Sequence, residues 1–253
     1  MLIDLTVPLH TAMPVWPGDP EVALTPAASV AADGYNLLAL RLGSQSGTHV
    51  DAPYHVDDAL PTLGELPLDR FTGRAVVADL RGLPAGAPIT AAHLDPVADA
   101  LGPGAVLLLA TGWSAYWGTP AYADHPWLHP DAARRAVANG VRTVGIDAPS
   151  IDPSGTHPSG TDPSGINPSG TDPSGIDRFG TGSPGPPGPA LPAHHVLAAA
   201  GAVIAENLTN LDALLRPPAT DGDVVVWLLP LPLARADGSP VRAVAEIRPR
   251  GVS

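Results

Sequence analysis

The sequence contains no cysteine among its 253 residues. Disulfide bonds, thiolate ligands and a cysteine nucleophile are therefore excluded. Basic residues are also scarce, with 13 Lys and Arg against 25 Asp and Glu, and the formal net charge is -12. This balance argues against non-specific binding to nucleic acid or to an anionic membrane surface. Any transition metal must be held by His, Asp and Glu side chains.

Long apolar segments are missing as well. The longest apolar run, residues 224–229, is far shorter than the roughly 20 residues that a membrane-spanning helix needs. The first residues lack the basic start and apolar stretch of a signal peptide. A chain with 44% hydrophobic residues can nevertheless bury a sizeable core. We therefore expect a globular cytoplasmic protein.

Residues 151–175 consist of five tandem units of five residues, and each unit ends in Pro-Ser-Gly. Proline in every unit interrupts helices and central strands, and the unit has too few apolar side chains for a solenoid core. We interpret residues 154–189 as an insertion into a single domain that spans residues 1–253. A metal-binding repeat is the alternative, because the units offer Asp, His or Asn, although their spacing fixes no coordination geometry.

The rest of the sequence predicts an α/β fold. Short, mostly apolar runs typical of extended or buried strands lie at residues 37–42, 75–79, 105–110, 143–147, 202–206 and 224–229. Helices are predicted at residues 131–139 and 192–200, where proline marks the start and glycine the end. Many strands with few helices favour one mixed sheet, curled, with the helices packed outside it.

The strongest functional signal lies in residues 45–55. Six residues occupy alternate positions there: Gln45, Gly47, His49, Asp51, Pro53 and His55. In an extended chain, residues two apart share a face, so His49 and Asp51 would lie roughly 6–7 Å apart and could both reach one metal ion. Pro53 interrupts the strand and turns the chain, so that His55 could stand beside the metal as a base. Ordinary polar residues at a strand end are the alternative interpretation.

This segment resembles the H-x-G-T-H-x-D-x-P-x-H signature of the cyclase family, which includes bacterial kynurenine formamidase and isatin hydrolase. Further segments resemble the same family, at residues 4–10, 13–20, 109–113, 144–150, 205–211, 230–231 and 237–245. The resemblance covers nearly the whole chain except the repeat. It implies a swivelling β/β/α fold, a homo-oligomer such as a homodimer, and amide hydrolysis of the kind used in tryptophan catabolism.

The resemblance also implies roles for particular side chains. His49 and Asp51 match metal ligands of the family, and His55 matches its general acid/base. His194 matches a later histidine ligand, and Glu206 matches a carboxylate ligand. The family's spacing between that histidine and that carboxylate selects the first histidine of the His-His pair, and its neighbour is interpreted as a surface residue or as a support for a ligand.

One position departs from the signature, since Gln45 stands where the family has histidine. A neutral amide oxygen is a weaker ligand for a transition metal than imidazole, so we expect one tightly held ion, Zn²⁺ or Mn²⁺. Gln45 then either binds this metal or orients the metal-bound water or the substrate. Trp16 is a candidate for the wall of a pocket for a planar substrate, with a core or interface position as the alternative. Asp19 is interpreted as a turn residue.

These residues predict a metal-dependent hydrolase of a small-molecule amide, either an aryl formamide or a cyclic amide. A divalent metal would activate water, and His55 would move the proton. A cyclisation or dehydration at the same site is one alternative, and an inactive family member that acts as a binding protein is another, favoured by Gln45. An interaction module built on the repeat is a third. A serine hydrolase is excluded because the chain has no G-x-S-x-G sequence.

Overall fold

The computed structural model describes residues 1–154 and 191–249. The predicted insertion therefore lies almost entirely outside the described residues, and the single-domain boundaries stay a prediction. Within the two described ranges, no helix has the length and apolar character needed to cross a membrane.

Thirteen strands and three α-helices are distributed along the described chain. The strands are β1 (Leu2–Asp4), β2 (Ala23–Ala28), β3 (Leu37–Arg41), β4 (His49–Asp51), β5 (Thr72–Asp79), β6 (Pro88–Ile89), β7 (Ala105–Ala110), β8 (Trp127–Leu128), β9 (Thr143–Ile146), β10 (Val203–Glu206), β11 (Gly222–Trp227), β12 (Gly238–Pro240) and β13 (Val244–Pro249). The α-helices are α1 (Val30–Asp33), α2 (Pro130–Ala138) and α3 (Pro192–Ala199). Short 3-10 helices span Pro53–His55, Leu63–Glu65, Leu68–Phe71, Ala91–Ala100, Trp113–Tyr116, Pro120–Asp124 and Leu211–Leu215.

Nine of these strands form one curled mixed sheet in the order β1-β13-β11-β5-β7-β9-β10-β4-β12. The central strands β5, β7, β9 and β10 run parallel to one another, and the strands on both sides are antiparallel. This arrangement confirms the predicted α/β class and the mixed, curled sheet. The predicted strands at 105–110, 143–147 and 202–206 coincide with β7, β9 and β10 to within one residue.

The sheet separates two hydrophobic clusters, and β7 contributes to both. Val106 and Leu108 face one cluster, whereas Leu107 and Leu109 face the other, which also contains buried residues of α2 and α3. Side chains alternate between the two faces of a strand, so a strand that is covered on both sides must be apolar throughout. The unbroken apolar run of β7 follows from this double burial.

Helix α2 begins one residue before the predicted start. Pro130 occupies its first turn, and the side chain of His129 accepts a hydrogen bond from the backbone N–H of Asp131. Proline is compatible with the first turn because its missing N–H would have no helical partner there. The predicted boundary at residue 131 was therefore wrong by this one position, while α3 begins at Pro192 as predicted.

Strand β3 is extended as predicted, but it lies outside the large sheet. Among the described residues it pairs only with β2, in a separate two-stranded ribbon, and all five of its residues are exposed. The apolar composition of residues 37–41 therefore does not reflect burial in the core of one chain.

Candidate metal centre

Strand β4 carries the two central site residues on one face. His49 and Asp51 are both buried, and Nε2 of His49 lies 3.5 Å from Oδ1 of Asp51. Val50, between them, points into the core on the other face. The two-residue period predicted from the sequence is thus present in the strand.

The neighbouring strand β10 adds a second carboxylate. Glu206 pairs with His49 in the antiparallel ladder between β10 and β4, and its Oε2 lies 3.6 Å from Nε2 of His49. One ligand atom from each of His49, Asp51 and Glu206 lies within 4.8 Å of the others. The three side chains are therefore close enough to hold one metal ion. Two neighbouring strands therefore bring together residues that are far apart in the sequence.

Helix α3 points a second imidazole at the same group. Nε2 of His194 lies 3.7 Å from Oδ2 of Asp51 and 3.5 Å from Oε1 of Glu206, and the side chain is buried. The adjacent His195 is exposed. The geometry thus places His194 in the cluster and His195 at the surface, and the role of His194 as a metal ligand stays a prediction.

Asp51 supplies the clearest test of whether a cation fits this group. Both oxygens of its carboxylate are buried, and neither has a hydrogen-bond partner in the described parts of the chain. A buried carboxylate that accepts no hydrogen bond is strongly unfavourable, and the two imidazoles near it, at 3.5 and 3.7 Å, are beyond hydrogen-bonding distance. Two imidazoles and two carboxylates converge on this point, and such nitrogen and oxygen donors suit a divalent metal. The residues present therefore fit the metal that the family implies.

Hydrogen bonds on the outer side fix both imidazole rings. Nδ1 of His49 donates to the carbonyl oxygen of Gly47 at 2.7 Å, which leaves Nε2 for the cluster. Gly47 has φ of +66°, a left-handed backbone conformation that strongly favours glycine. The same carbonyl accepts a hydrogen bond from Nδ2 of Asn207 at 3.0 Å.

Asp152 holds His194 in a similar way, and the sequence interpretation missed this residue. Its fully buried carboxylate accepts Nδ1–H of His194 at 2.7 Å and the backbone N–H groups of Ala193 and His194 at 2.9 and 3.0 Å. Burial alone would lower the pKa of His194, but the hydrogen bond to Asp152 raises this pKa well above its usual value. Asp152 thus directs Nε2 of the ring toward the cluster and caps the first turn of α3.

His55 stands beside the cluster, with its ring centroid 5.7 Å from that of His194. It ends the 3-10 helix Pro53–His55, as expected from the turn at Pro53. Its Nδ1 lies 3.3 Å from Oδ2 of Asp237, and Nε2 of Gln45 donates to the same oxygen at 3.0 Å. Burial opposes protonation of His55, yet the bond to Asp237 raises its pKa overall. Sequence reasoning missed Asp237, which lies 182 positions away.

A cavity of about 350 Å³ opens onto His49, His55, His194 and Glu206. Its walls are largely apolar and aromatic, with side chains from Pro14, Trp16, Pro17, Trp117, Pro120, Tyr122 and Pro149. A cavity of this size, with a few polar groups at one end, suits a small organic ligand. The structure therefore places Trp16 in a pocket wall, one of the two positions that the sequence left open.

Asp19 has a larger part in the site than the sequence suggested. Its backbone N–H donates to the carbonyl of Trp16 at 3.0 Å, which agrees with the predicted turn. Its side chain also lines the cavity, and burial raises the pKa of its carboxyl. The interpretation of Asp19 as a turn residue was therefore incomplete.

A buried group of imidazoles and carboxylates below a small cavity is the arrangement of a metal-dependent hydrolase. The chain belongs to the cyclase family: the family described as "Putative cyclase" matches residues 3–153. Kynurenine formamidase of Bordetella petrii is 31% identical over 254 residues, which cover 96% of both chains. Kynurenine formamidase of Salinibacter ruber is 32% identical, over 98% of both chains.

Solved structures of the same fold include an isatin hydrolase bound to the product analogue thioisatinate. That structure has a TM-score of 0.73 and 21% identity, and the match covers 98% of this chain and 92% of the other. Isatin hydrolase A from Labrenzia aggregata, bound to benzyl benzoate, gives a TM-score of 0.73 at 22% identity, over 97% and 93% of the two chains. These structures confirm the predicted fold. The formamidase relatives and the buried donor group confirm the predicted class, a metal-dependent amide hydrolase with a small-molecule substrate.

Proposed function

We propose that this protein hydrolyses an aryl formamide, with a cyclic aryl amide as the second substrate type, at one divalent metal ion. The observation that carries the proposal is the buried carboxylate of Asp51, which accepts no hydrogen bond in the described parts of the chain and lies among three other donors at the end of an aromatic cavity. The relatives named kynurenine formamidase support the formamide. The fold shared with isatin hydrolase is the reason for including the cyclic amide in the test.

His49, Asp51, His194 and Glu206 are the proposed ligands. Two neutral imidazoles and two carboxylates leave a divalent ion with no excess charge, and this donor set suits Zn²⁺ or Mn²⁺. An ion bound there would polarise the amide carbonyl and lower the pKa of a water molecule. Ligands must lose their protons to bind metal, and the contacts with Asp152 and Asp51 raise the pKa of His194 despite its burial; metal binding is therefore expected to release protons.

His55 is the proposed general acid and base. Asp237 occupies the Nδ1 side of its ring, so Nε2 is the nitrogen that is free to exchange a proton within the cavity. His55 would accept a proton from the attacking water and return one to the leaving nitrogen, a contribution of roughly 10²–10⁴-fold to the rate. Trp16 and Tyr122, on the cavity walls, would hold the aromatic ring of the substrate.

The remaining parts of the sequence-based prediction stay predictions: a cytoplasmic protein, a role in tryptophan catabolism and a homo-oligomer. Strand β3 supports the oligomer, because Leu38 and Leu40, which lie two residues apart on one face of the strand, are 50% and 65% exposed. Exposed apolar clusters of this kind mark interaction surfaces, and the proposed occupant is a second copy of the chain. Light scattering of the purified protein would then give more than the monomer mass, and Leu40→Glu would shift it toward the monomer.

The function is tested with purified protein that has been stripped of metal and reloaded with Zn²⁺ or Mn²⁺. We expect the loaded protein to hydrolyse N-formylkynurenine, with isatin and simple cyclic amides as comparison substrates. Asp51→Asn should lose the metal and the activity together, whereas Asp223→Asn, an exposed carboxylate on β11, should change neither. Full activity of rigorously metal-free protein would refute the metal-dependent reaction. Failure of the loaded protein on every amide would refute the substrate class.

A further inference from the structure

Three polar side chains beside the proposed metal ligands form a second group, made of Gln45, His55 and Asp237. Nε2 of Gln45 lies 3.0 Å from Oδ2 of Asp237, and Nδ1 of His55 lies 3.3 Å from the same oxygen. The two nitrogens lie 3.3 Å from each other. One carboxylate oxygen therefore faces two nitrogen atoms that belong to different residues.

The contacts with Asp237 favour one arrangement of the protons. A carboxylate only accepts hydrogen bonds, so in this arrangement Gln45 presents its N–H and His55 carries its proton on Nδ1. A reversed amide would set the oxygen of Gln45 against that of Asp237. If His55 were protonated only on Nε2, the lone pair of Nδ1 would face the carboxylate oxygen of Asp237, which is unfavourable. In the favoured arrangement the 3.3 Å contact between the two nitrogens joins two donors to one acceptor, whereas a ring with its proton on Nε2 would accept the second N–H of Gln45 there. Hydrogen bonds from His55, Gln45 and Ser44 hold the pKa of Asp237 well below its usual range, with the bond from His55 as the largest cause.

The backbone that carries Asp237 is fixed by the sheet. The residue precedes β12, in which Gly238 pairs with Asp51 of β4, and its carbonyl accepts the N–H of Ala52 at 2.7 Å. A Cβ at position 238 would lie 2.6 Å from both the carbonyl oxygen of Val50 and Nε2 of Gln45. Glycine at this point allows the strand to approach closely enough for Asp237 to reach His55.

We propose that Asp237 is a positioning residue for His55: it holds the ring with the proton on Nδ1 and leaves Nε2 as the proton-accepting atom in the cavity. Gln45 keeps the carboxylate in place and belongs to this group, not to the metal ligands. This inference rests on the proposed function, because it assigns a support to the proposed acid/base. It gives a role to Gln45 in this chain, where the family signature has a histidine.

Kinetic tests compare Asp237→Ala, Asp237→Glu and His55→Ala, each loaded with Zn²⁺. Asp237→Ala should lower kcat by roughly 10–100-fold while KM and the metal content stay within about twofold. Asp237→Glu should recover part of the loss, because a carboxylate is restored. In the His55→Ala background, Asp237→Ala should change kcat by less than about twofold, since residues that act as one unit are not additive. Asp212→Asn, an exposed partner of Arg216, is the matched control and should resemble the parent.

Equal losses of kcat from Asp237→Ala in both backgrounds would overturn the proposal, as would an unchanged kcat in the parent background. Loss of bound Zn²⁺ from Asp237→Ala would show that Asp237 supports the metal instead. A second measurement does not depend on activity. NMR gives the chemical shifts of the two ring nitrogens of His55 in the Zn²⁺-loaded protein, at a pH where the ring is neutral. They should show the Nδ1–H form in the parent and a mixture of both forms in Asp237→Ala. The Nε2–H form in the parent would refute the inference even if no substrate were found.

Discussion

Replacing Asp152 by asparagine should weaken metal binding without removing any proposed ligand. The carboxylate of Asp152 is fully buried and accepts three N–H groups, two from the backbone of α3 and one from the ring of His194. Asparagine has one acceptor oxygen and one NH₂ group, so it cannot accept all three hydrogen bonds in this arrangement. If the NH₂ group faces the ring, His194 must move its proton to Nε2, the atom that would bind the metal.

The expected loss of metal affinity in Asp152→Asn follows from the hydrogen bonds that the variant can no longer accept. Replacing a residue that orients a metal-binding histidine typically weakens metal affinity by roughly 10–100-fold, which corresponds to about 1.4–2.7 kcal/mol. A second effect acts on the metal-free chain. Hydrogen bonds to a charged group contribute about 1.5–3 kcal/mol each, so the variant should also unfold at a lower temperature.

Competition with a chromogenic chelator measures the Zn²⁺ dissociation constant, and thermal unfolding of the metal-free protein measures the second effect. Asp131→Asn is the matched control, because Asp131 lies in the first turn of α2 and is exposed to solvent. A folded Asp152→Asn protein that binds Zn²⁺ as tightly as the parent would show that His194 either needs no fixed ring orientation or does not bind the metal.

Four further experiments test the site and the predicted insertion. Metal analysis should find one tightly bound ion per chain, and Gln45→His should raise the occupancy of a second, weaker site; two tightly retained ions in the unaltered protein would contradict this. His55→Ala should keep its metal and lose most of its turnover. Asp237 raises the pKa of His55. The acid limb of the kcat/KM profile, where His55 loses its base form, should therefore move to lower pH in Asp237→Ala. An acid limb at the same pH would show that it does not report the titration of His55. Replacement of residues 156–188 by a short Gly/Ser linker should leave Tm nearly unchanged, because Asp152 joins the chain before this segment to α3 after it; loss of soluble protein would contradict it.

The part of the site that could be predicted from the sequence depends on local geometry. His49 and Asp51 share a face because the chain is extended there, and His55 leaves that face because Pro53 begins a turn. Both follow from the spacing of a few residues. The choice of His194 over His195 needed the family spacing, since both residues lie on one helix.

The supporting residues could not be found in this way. Asp237 reaches His55 only because β12 pairs with β4, and Asp152 reaches His194 across the predicted insertion. Such contacts depend on strand order, which a single sequence does not specify. Residues 37–41 show a related limit: an apolar strand pattern does not distinguish a core strand from one on the surface of the chain.

The position of β4 in the sheet has a consequence for folding. This three-residue strand lies next to the short edge strand β12 and carries two of the proposed ligands, while β10 on its other side carries a third. A shift of one residue in its pairing would turn His49 and Asp51 toward the core and Val50 toward the cavity. An ion that binds only the correct strand register therefore stabilises that register over the shifted one. At a free concentration 100 times its dissociation constant, the ion adds about 2.7 kcal/mol to the free energy of unfolding. The metal would then stabilise the pairing at this end of the sheet. Amide hydrogens of β4 and β12 would exchange faster in the metal-free protein than in the metal-bound protein.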